Sequence, residues 1–241
     1  PCGLRFPRLD GVPWLYADPD AAVAEWRNRT TLYLEEFGAE ARRAAADLAA
    51  LPPGSAGAVR VRRLAEAYLD HARRVAALLA PLGLEPGAMA HATQLAFGTA
   101  LPLTQDLHSY HANVHRDWAW GDAENAAACA VVAEALGNVS GHVLVLGAGA
   151  GRLAYDLHRA AHAATTVALD LNPLLLAVTR RAAAAEPVEL YEFPLAPLDA
   201  EHVAVLRRLC APAPVRDGLV FVAADAFRAP FAPQSFDAVI T

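Results

Sequence analysis

Apolar positions along the chain keep a helical period up to about residue 140, and beyond it they fall into short unbroken runs. Asp18-Pro19 reads as a helix start, with proline at the first helical position. From Ala21 to about Leu51, Trp26, Tyr33, Phe37 and Leu48 recur near helical spacing, and Pro52-Pro53-Gly54 stops the pattern. A second helix is expected from Val59 to about Leu82, with Leu64, Tyr68, Val75 and Leu79 apolar and arginines opposite. Pro86-Gly87 marks a loop. Thr104 can cap a third helix that reaches about Trp118, and Ala123 to Leu136 reads as a fourth. Residues 1–140 are therefore expected to form an all-helical N-terminal region.

From Gly141 the pattern alternates between strands and helices. Strands are expected at 143–147, 166–170, 188–193, 219–224 and 236–240, and helices at 151–162, 173–185 and 199–210. This is the βαβ order of a parallel sheet, so the fold class is α/β, with residues 141–241 as a Rossmann-like core. The last strand ends at Ile240, one residue before the chain stops at Thr241, where such a sheet should continue. The chain therefore reads as part of a longer polypeptide, with its core incomplete at the C-terminal end.

Composition narrows the possible chemistry. All 20 basic side chains are arginine, which excludes a Schiff-base lysine or a phosphate-loop lysine in this stretch. The arginine and alanine bias points to a GC-rich, bacterial source. Net charge is −6 and both halves are acidic, so no basic face advertises nucleic acid or an anionic membrane. Cys2, Cys129 and Cys210 are far apart, which fits a reducing compartment and no structural zinc. With no signal segment and no long apolar run, a cytoplasmic protein is expected. There is no G-x-S-x-G elbow, H-E-x-x-H pair or Walker loop.

The strongest motif is Val143-Leu144-Val145-Leu146-Gly147-Ala148-Gly149-Ala150-Gly151-Arg152, followed by Val167-Ala168-Leu169-Asp170. Glycines after a buried strand let backbone N–H groups approach a nucleoside, and an acid at the end of the next strand can hold ribose hydroxyls. A dinucleotide fingerprint would want its third glycine at position 152, which is Arg152, so an NAD(P)-dependent oxidoreductase is the weaker reading. A third strand, Leu219 to Ala224, ends at Asp225. Gly147-x-Gly149-x-Gly151 after an apolar strand, with Asp170 a further 19 residues beyond Gly151, resembles the class I methyltransferases that use S-adenosylmethionine.

A more specific likeness lies upstream. Asn113-Val114-His115-Arg116-Asp117-Trp118, one helix before Gly151-Arg152-Leu153-Ala154, resembles the carnosine N-methyltransferase-like family over roughly residues 104–241. The resemblance implies that Arg116 and Asn113 bind the cofactor, the arginine fork taking the carboxylate of its methionine end. The family has glutamine where this chain has Asn113. It also implies that Asp170 holds the ribose and Asp225 the adenine amino group. The family's aromatic neighbour is replaced by Ala226, which leaves Phe227 to stack on adenine. The implied reaction is methylation of a small molecule at an imidazole or amine nitrogen. The family's substrate residues fall after Thr241. A non-catalytic scaffold with the same fold stays as a further alternative.

His108, His111 and His115 lie at i, i+3 and i+7 on one helical face. Such a stripe serves a substrate pocket, ordinary packing or a metal, but it lacks a fixed fourth metal ligand. The expectation here is a substrate role and no metal. Asp117 is expected to orient Arg116, and Trp118 and Trp120 to pack the helical region onto the sheet. Trp14, Tyr16 and Trp26 read as anchors of the N-terminal segment.

Overall fold

A computed structural model of the chain describes residues 5–84, 107, 110–137, 139–160, 163–215 and 217–241. His108, the expected cap Thr104 and the Pro86-Gly87 loop lie outside the described residues. The chain begins with a small antiparallel hairpin, β1 (Arg8–Leu9) and β2 (Val12–Pro13). Its turn is Asp10-Gly11, both residues with positive φ (47° and 80°). Asp10 accepts hydrogen bonds from Arg180 (2.8 Å) and Arg181 (3.2 Å), which pins the turn to the core. The N-terminal region is therefore not all-helical. An Asp-Gly pair between apolar residues is a strong hairpin signal, and it outweighs the helical composition around it.

Helix α1 (Pro19–Ala50) starts where Asp18 accepts from Ala21 N at 3.0 Å, and α2 (Ala56–Leu78) starts where Ser55 accepts from Ala58 N at 3.2 Å. The two helices pack through Trp26, Tyr33, Phe37 and Ala41 of α1 and Ala67, His71 and Val75 of α2. The expected second helix breaks before Leu82, because Pro81 forces a short 3-10 turn over Ala80–Leu82. The third helix is described only as α3 (His111–His115). It then loosens into a π-helical turn, Arg116–Trp120, closed by Gly121 N donating to Arg116 O at 2.7 Å. Gly121 has to be glycine here, since a Cβ would collide with the Arg116 carbonyl. Helix α4 (Asp122–Leu136) follows.

The core is a four-stranded parallel sheet of β3 (His142–Leu146), β4 (Thr165–Asp170), β7 (Leu219–Ala223) and β8 (Ala238–Ile240), in the order β7-β4-β3-β8. Helix α5 (Arg152–Ala160) joins β3 to β4, and α6 (Pro173–Ala183) follows β4. One sheet face, carrying Val145, Ala168 and Phe221, packs on Trp14, Tyr155 and the buried leucines of α6. The other, carrying Leu144, Leu169 and Val222, has a thinner cover of Leu15, Phe231 and Phe236.

One expected element is of the wrong type. Residues 199–210 do not form a helix: Val205–Leu209 is a strand, β6, paired antiparallel with β5 (Val188–Glu192). This hairpin stands apart from the parallel sheet, to which the 188–193 strand does not belong. Charge pairing explains the choice. Glu189 lies opposite Arg208 and also accepts from Arg74 (3.0 Å), while Glu192 accepts from Arg207 at 2.7 Å. Val205, Arg207 and Leu209 share one face, a period of two that Ala200-Glu201 before them obscures.

Candidate active site at the glycine turn

Strand β3 delivers the chain to Gly147, Gly149 and Gly151, whose φ values are 62°, 59° and 74°. Three left-handed positions in five residues explain why this turn is glycine-rich. The glycines do different work. A Cβ on Gly147 would meet no atom within 4 Å, and one on Gly149 only the Gly147 carbonyl at 3.9 Å, so this side of the turn faces open space. A Cβ on Gly151 would collide with Thr179 of α6. The third glycine therefore lets helix and turn pack, while the first two leave a cradle open.

Asp170 ties the turn to the end of β4. Its Oδ2 accepts from Gly149 N (2.8 Å) and its Oδ1 from Asn172 N (2.8 Å). The residue is 8% exposed, and burial pushes its carboxyl above the ordinary value although backbone N–H groups oppose the shift. Asn172 in turn caps α6 by accepting from Leu174 N at 3.0 Å.

The Arg116–Trp120 turn is fastened to this site from above. Trp118 Nε1 donates to the Ala150 carbonyl (2.7 Å), and Thr179 Oγ1 donates to the same oxygen. Arg152, the first residue of α5, donates from Nη1 to the Asp117 carbonyl (2.7 Å) and from Nε to Asp156 (2.8 Å). Its guanidinium also stacks over the Trp118 ring at 5.5 Å. Arg116 leans on its neighbour, with Nε and Nη2 both on Asp117 Oδ1 at 2.9 and 2.8 Å, and its side chain is 36% exposed. Asp117 does orient Arg116. Asn113 sits half-buried one turn earlier on α3.

At the end of β7, Asp225 Oδ1 accepts from Phe227 N (2.9 Å) and starts the short turn Ala226–Arg228. Ala226 is exposed, and the Phe227 ring is 98% exposed and covers nothing here. The ring near the two acids is instead Tyr16, whose hydroxyl donates to the Leu171 carbonyl at 3.1 Å.

His111 and His115 face His71 and the β5 strand. Their rings meet edge to face at 5.0 Å, and His111 meets His71 at 4.9 Å. His115 is 1% exposed and donates from Nε2 to the Tyr191 carbonyl at 3.2 Å. No cluster of three or more metal-ligating side chains occurs among the described residues. Burial lowers the His115 pKa to about 4. The unfolded chain takes this proton near the ordinary imidazole value of 6.5, whereas the folded chain refuses it until about 4. Stability is therefore lost as pH falls through that window and is flat below it. Relative to His115→Gln, wild type is expected to lose about 2 kcal/mol between pH 7 and pH 5 in chemical unfolding. Parallel pH profiles for the two proteins would show that the imidazole is not buried neutral.

With a strand, a cradle, an acid and a second acid arranged along one sheet edge, the chain can be compared with known families. Residues 144–241 match a family model described as a methyltransferase domain. The match covers the glycine turn, Asp170, Asp225 and all four parallel strands from Leu144 onward. It supports a class I methyltransferase core, the type that uses S-adenosylmethionine. No curated protein matches the chain. No helix among the described residues is long and apolar enough to cross a membrane.

Sequence reasoning missed three parts of this site. Arg152 enters the sequence reading as the residue that breaks a dinucleotide fingerprint and as part of the Gly-Arg-Leu-Ala motif, whereas in the structure it anchors the upstream turn. Thr179 gave no signal at all, because its role exists only through Gly151 and Ala150. Tyr16 read as an anchor, but nothing local tells that it reaches a residue 155 positions away.

Proposed function

We propose that this chain carries the cofactor site of an S-adenosylmethionine-dependent methyltransferase that acts on a small molecule, an imidazole or amine nitrogen being the preferred acceptor. The observation that carries the reading is the physical union of two motifs. Arg116-Asp117-Trp118 and Gly151-Arg152-Leu153-Ala154 together resemble the carnosine N-methyltransferase-like family, and Trp118 and Arg152 lock them into one unit. Such a union explains why the two segments would travel together.

The residues fit the group. Gly147 and Gly149 leave an open cradle above the end of β3. Asp170 and Asp225 supply carboxylates at the ends of adjacent strands for ribose hydroxyls and the adenine amino group. Asp117 holds the Nε–Nη2 edge of Arg116, and Nη1, loosely paired with the exposed Glu124 at 3.9 Å, is the end that would turn to the ligand's carboxylate, with Asn113 one turn earlier. When bound, S-adenosylmethionine supplies an electrophilic methyl group on a positive sulfur. The protein has then to hold the acceptor in line and keep water out. His111 and His115 remain the proposed acceptor-side residues, with His115 tied to the Tyr191 carbonyl of β5; His108, the third proposed residue, lies outside the described residues.

Calorimetry tests this directly. The chain should bind S-adenosylhomocysteine at roughly micromolar Kd. Arg116→Ala should weaken that ligand at least about tenfold, as expected for losing a charge-assisted pair. The same variant should leave 5′-methylthioadenosine, which has no amino-acid end, unchanged. Equal weakening of both ligands would remove Arg116 from the carboxylate role. Tight binding of NADH instead would favour the oxidoreductase reading.

A further inference from the structure

The segment between the N-terminal hairpin and α1 is built into the sheet. Trp14 bridges Ala223 in parallel, and Leu15 N donates to the Ala223 carbonyl at 2.8 Å. The strap therefore runs along the outer side of β7 and leaves it at the same end as the two acids. From there Tyr16 reaches across to Leu171, the residue after Asp170, and donates to its carbonyl at 3.1 Å. Leu171 follows β4, which lies on the inner side of β7. Adjacent strands are about 4.8 Å apart, so the side chain spans the mouth of β7 from one flank to the other.

We propose that Tyr16 is a positioning residue for the nucleoside end of the cofactor site, holding the Asp170–Asn172 turn in the shape that receives the adenosine moiety. The inference rests on the methyltransferase reading above. The bonds that hold this turn include Tyr16 to the Leu171 carbonyl, Asn172 N to Asp170 Oδ1, Gly149 N to Asp170 Oδ2, Leu174 N to Asn172 Oδ1 and Ala224 N to the Asp170 carbonyl (3.1 Å). The first is the only one of them that comes from outside the Rossmann-like core. Burial, with Asp170 and Asp225 as negative neighbours, holds the phenol proton in place well above the ordinary value, so Tyr16 stays a donor. Phe227, the other aromatic side chain near Asp225, points to solvent and cannot do this work.

The test is calorimetry on the full chain with S-adenosylhomocysteine and with 5′-methylthioadenosine, which share the 5′-thioadenosine part and differ in the amino-acid end. Tyr16→Phe keeps the ring and removes the donor, and it should weaken both ligands by about five-fold, the effect of one hydrogen bond. Arg116→Ala should weaken only the first. Tyr16→Phe binding both ligands as wild type does would overturn the inference and leave the cofactor reading intact. So would a lowered thermal midpoint without ligand and unchanged affinities at 15 °C, the mark of a purely structural hydroxyl. A wild-type chain that binds neither ligand would overturn the cofactor reading and this inference together.

Discussion

Gly151→Ala is expected to destabilise the unliganded protein by about 2–5 kcal/mol, the sum of a left-handed backbone penalty and an overpacked helix contact. The two parts can be separated. Gly151 has φ 74°, and a Cβ there would run into the methyl group of Thr179. Gly147 has φ 62° and empty space beyond it. Gly147→Ala therefore carries the backbone part alone, about 1–2 kcal/mol. Thr179→Ser removes the colliding methyl but keeps the hydroxyl that donates to Ala150. In the Gly151→Ala background it should recover stability, giving a coupling of about 1–3 kcal/mol in a double-mutant cycle. Equal losses for Gly147→Ala and Gly151→Ala in chemical unfolding would mean that the third glycine is not there for packing.

The contrast between those glycines also marks what was legible in the sequence. The turn, the strand before it and the acid after β4 were all visible, because each depends on neighbours in the chain. α1 was visible for the same reason, since its cap at Asp18 and its stop at Pro52 are local. The strand Val205–Leu209 was not, because its alternation covers five residues and its partner charges, Glu189 and Glu192, lie in another segment. The Asp10-Gly11 hairpin is legible in principle, since Asp-Gly between apolar residues is a turn signal, but its strands are only two residues long and give no alternation to read. The roles of Arg152 and Tyr16 depend on contacts 35 and 155 positions away, and no window on the sequence contains both partners.

The site is thus assembled across the boundary between the two regions. Arg152 opens a core helix and holds the carbonyl of Asp117, while Trp118 holds the carbonyl of Ala150. Each region supplies one donor and one acceptor to the other. A shift of the upstream turn would therefore move the glycine cradle and Arg116 together, which keeps their spacing fixed. Hydrogen bonds of this kind contribute little net stability each, about 1 kcal/mol, but leaving one unmade inside the protein costs more. That asymmetry favours a joint that is either fully formed or fully open.

The same asymmetry governs the second large effect, expected for Asp170→Ala. The carboxylate accepts from Gly149 N and Asn172 N, and alanine would leave both donors without it in a site that is 8% exposed. Each orphaned donor costs about 1–3 kcal/mol. Against this, the buried charge is itself unfavourable, as its raised pKa records, so part of the loss is returned. A net destabilisation of about 2–4 kcal/mol is expected, with adenosine-containing ligands no longer bound. Asp170→Asn separates acceptor from charge. It keeps one oxygen for one donor but turns an NH2 group toward the other, so it should fall between wild type and alanine. Were charge alone responsible, asparagine would unfold as readily as alanine; were hydrogen bonding irrelevant, both variants would be at least as stable as wild type. Chemical unfolding of the three proteins at one pH decides between these, because only the acceptor account predicts that order.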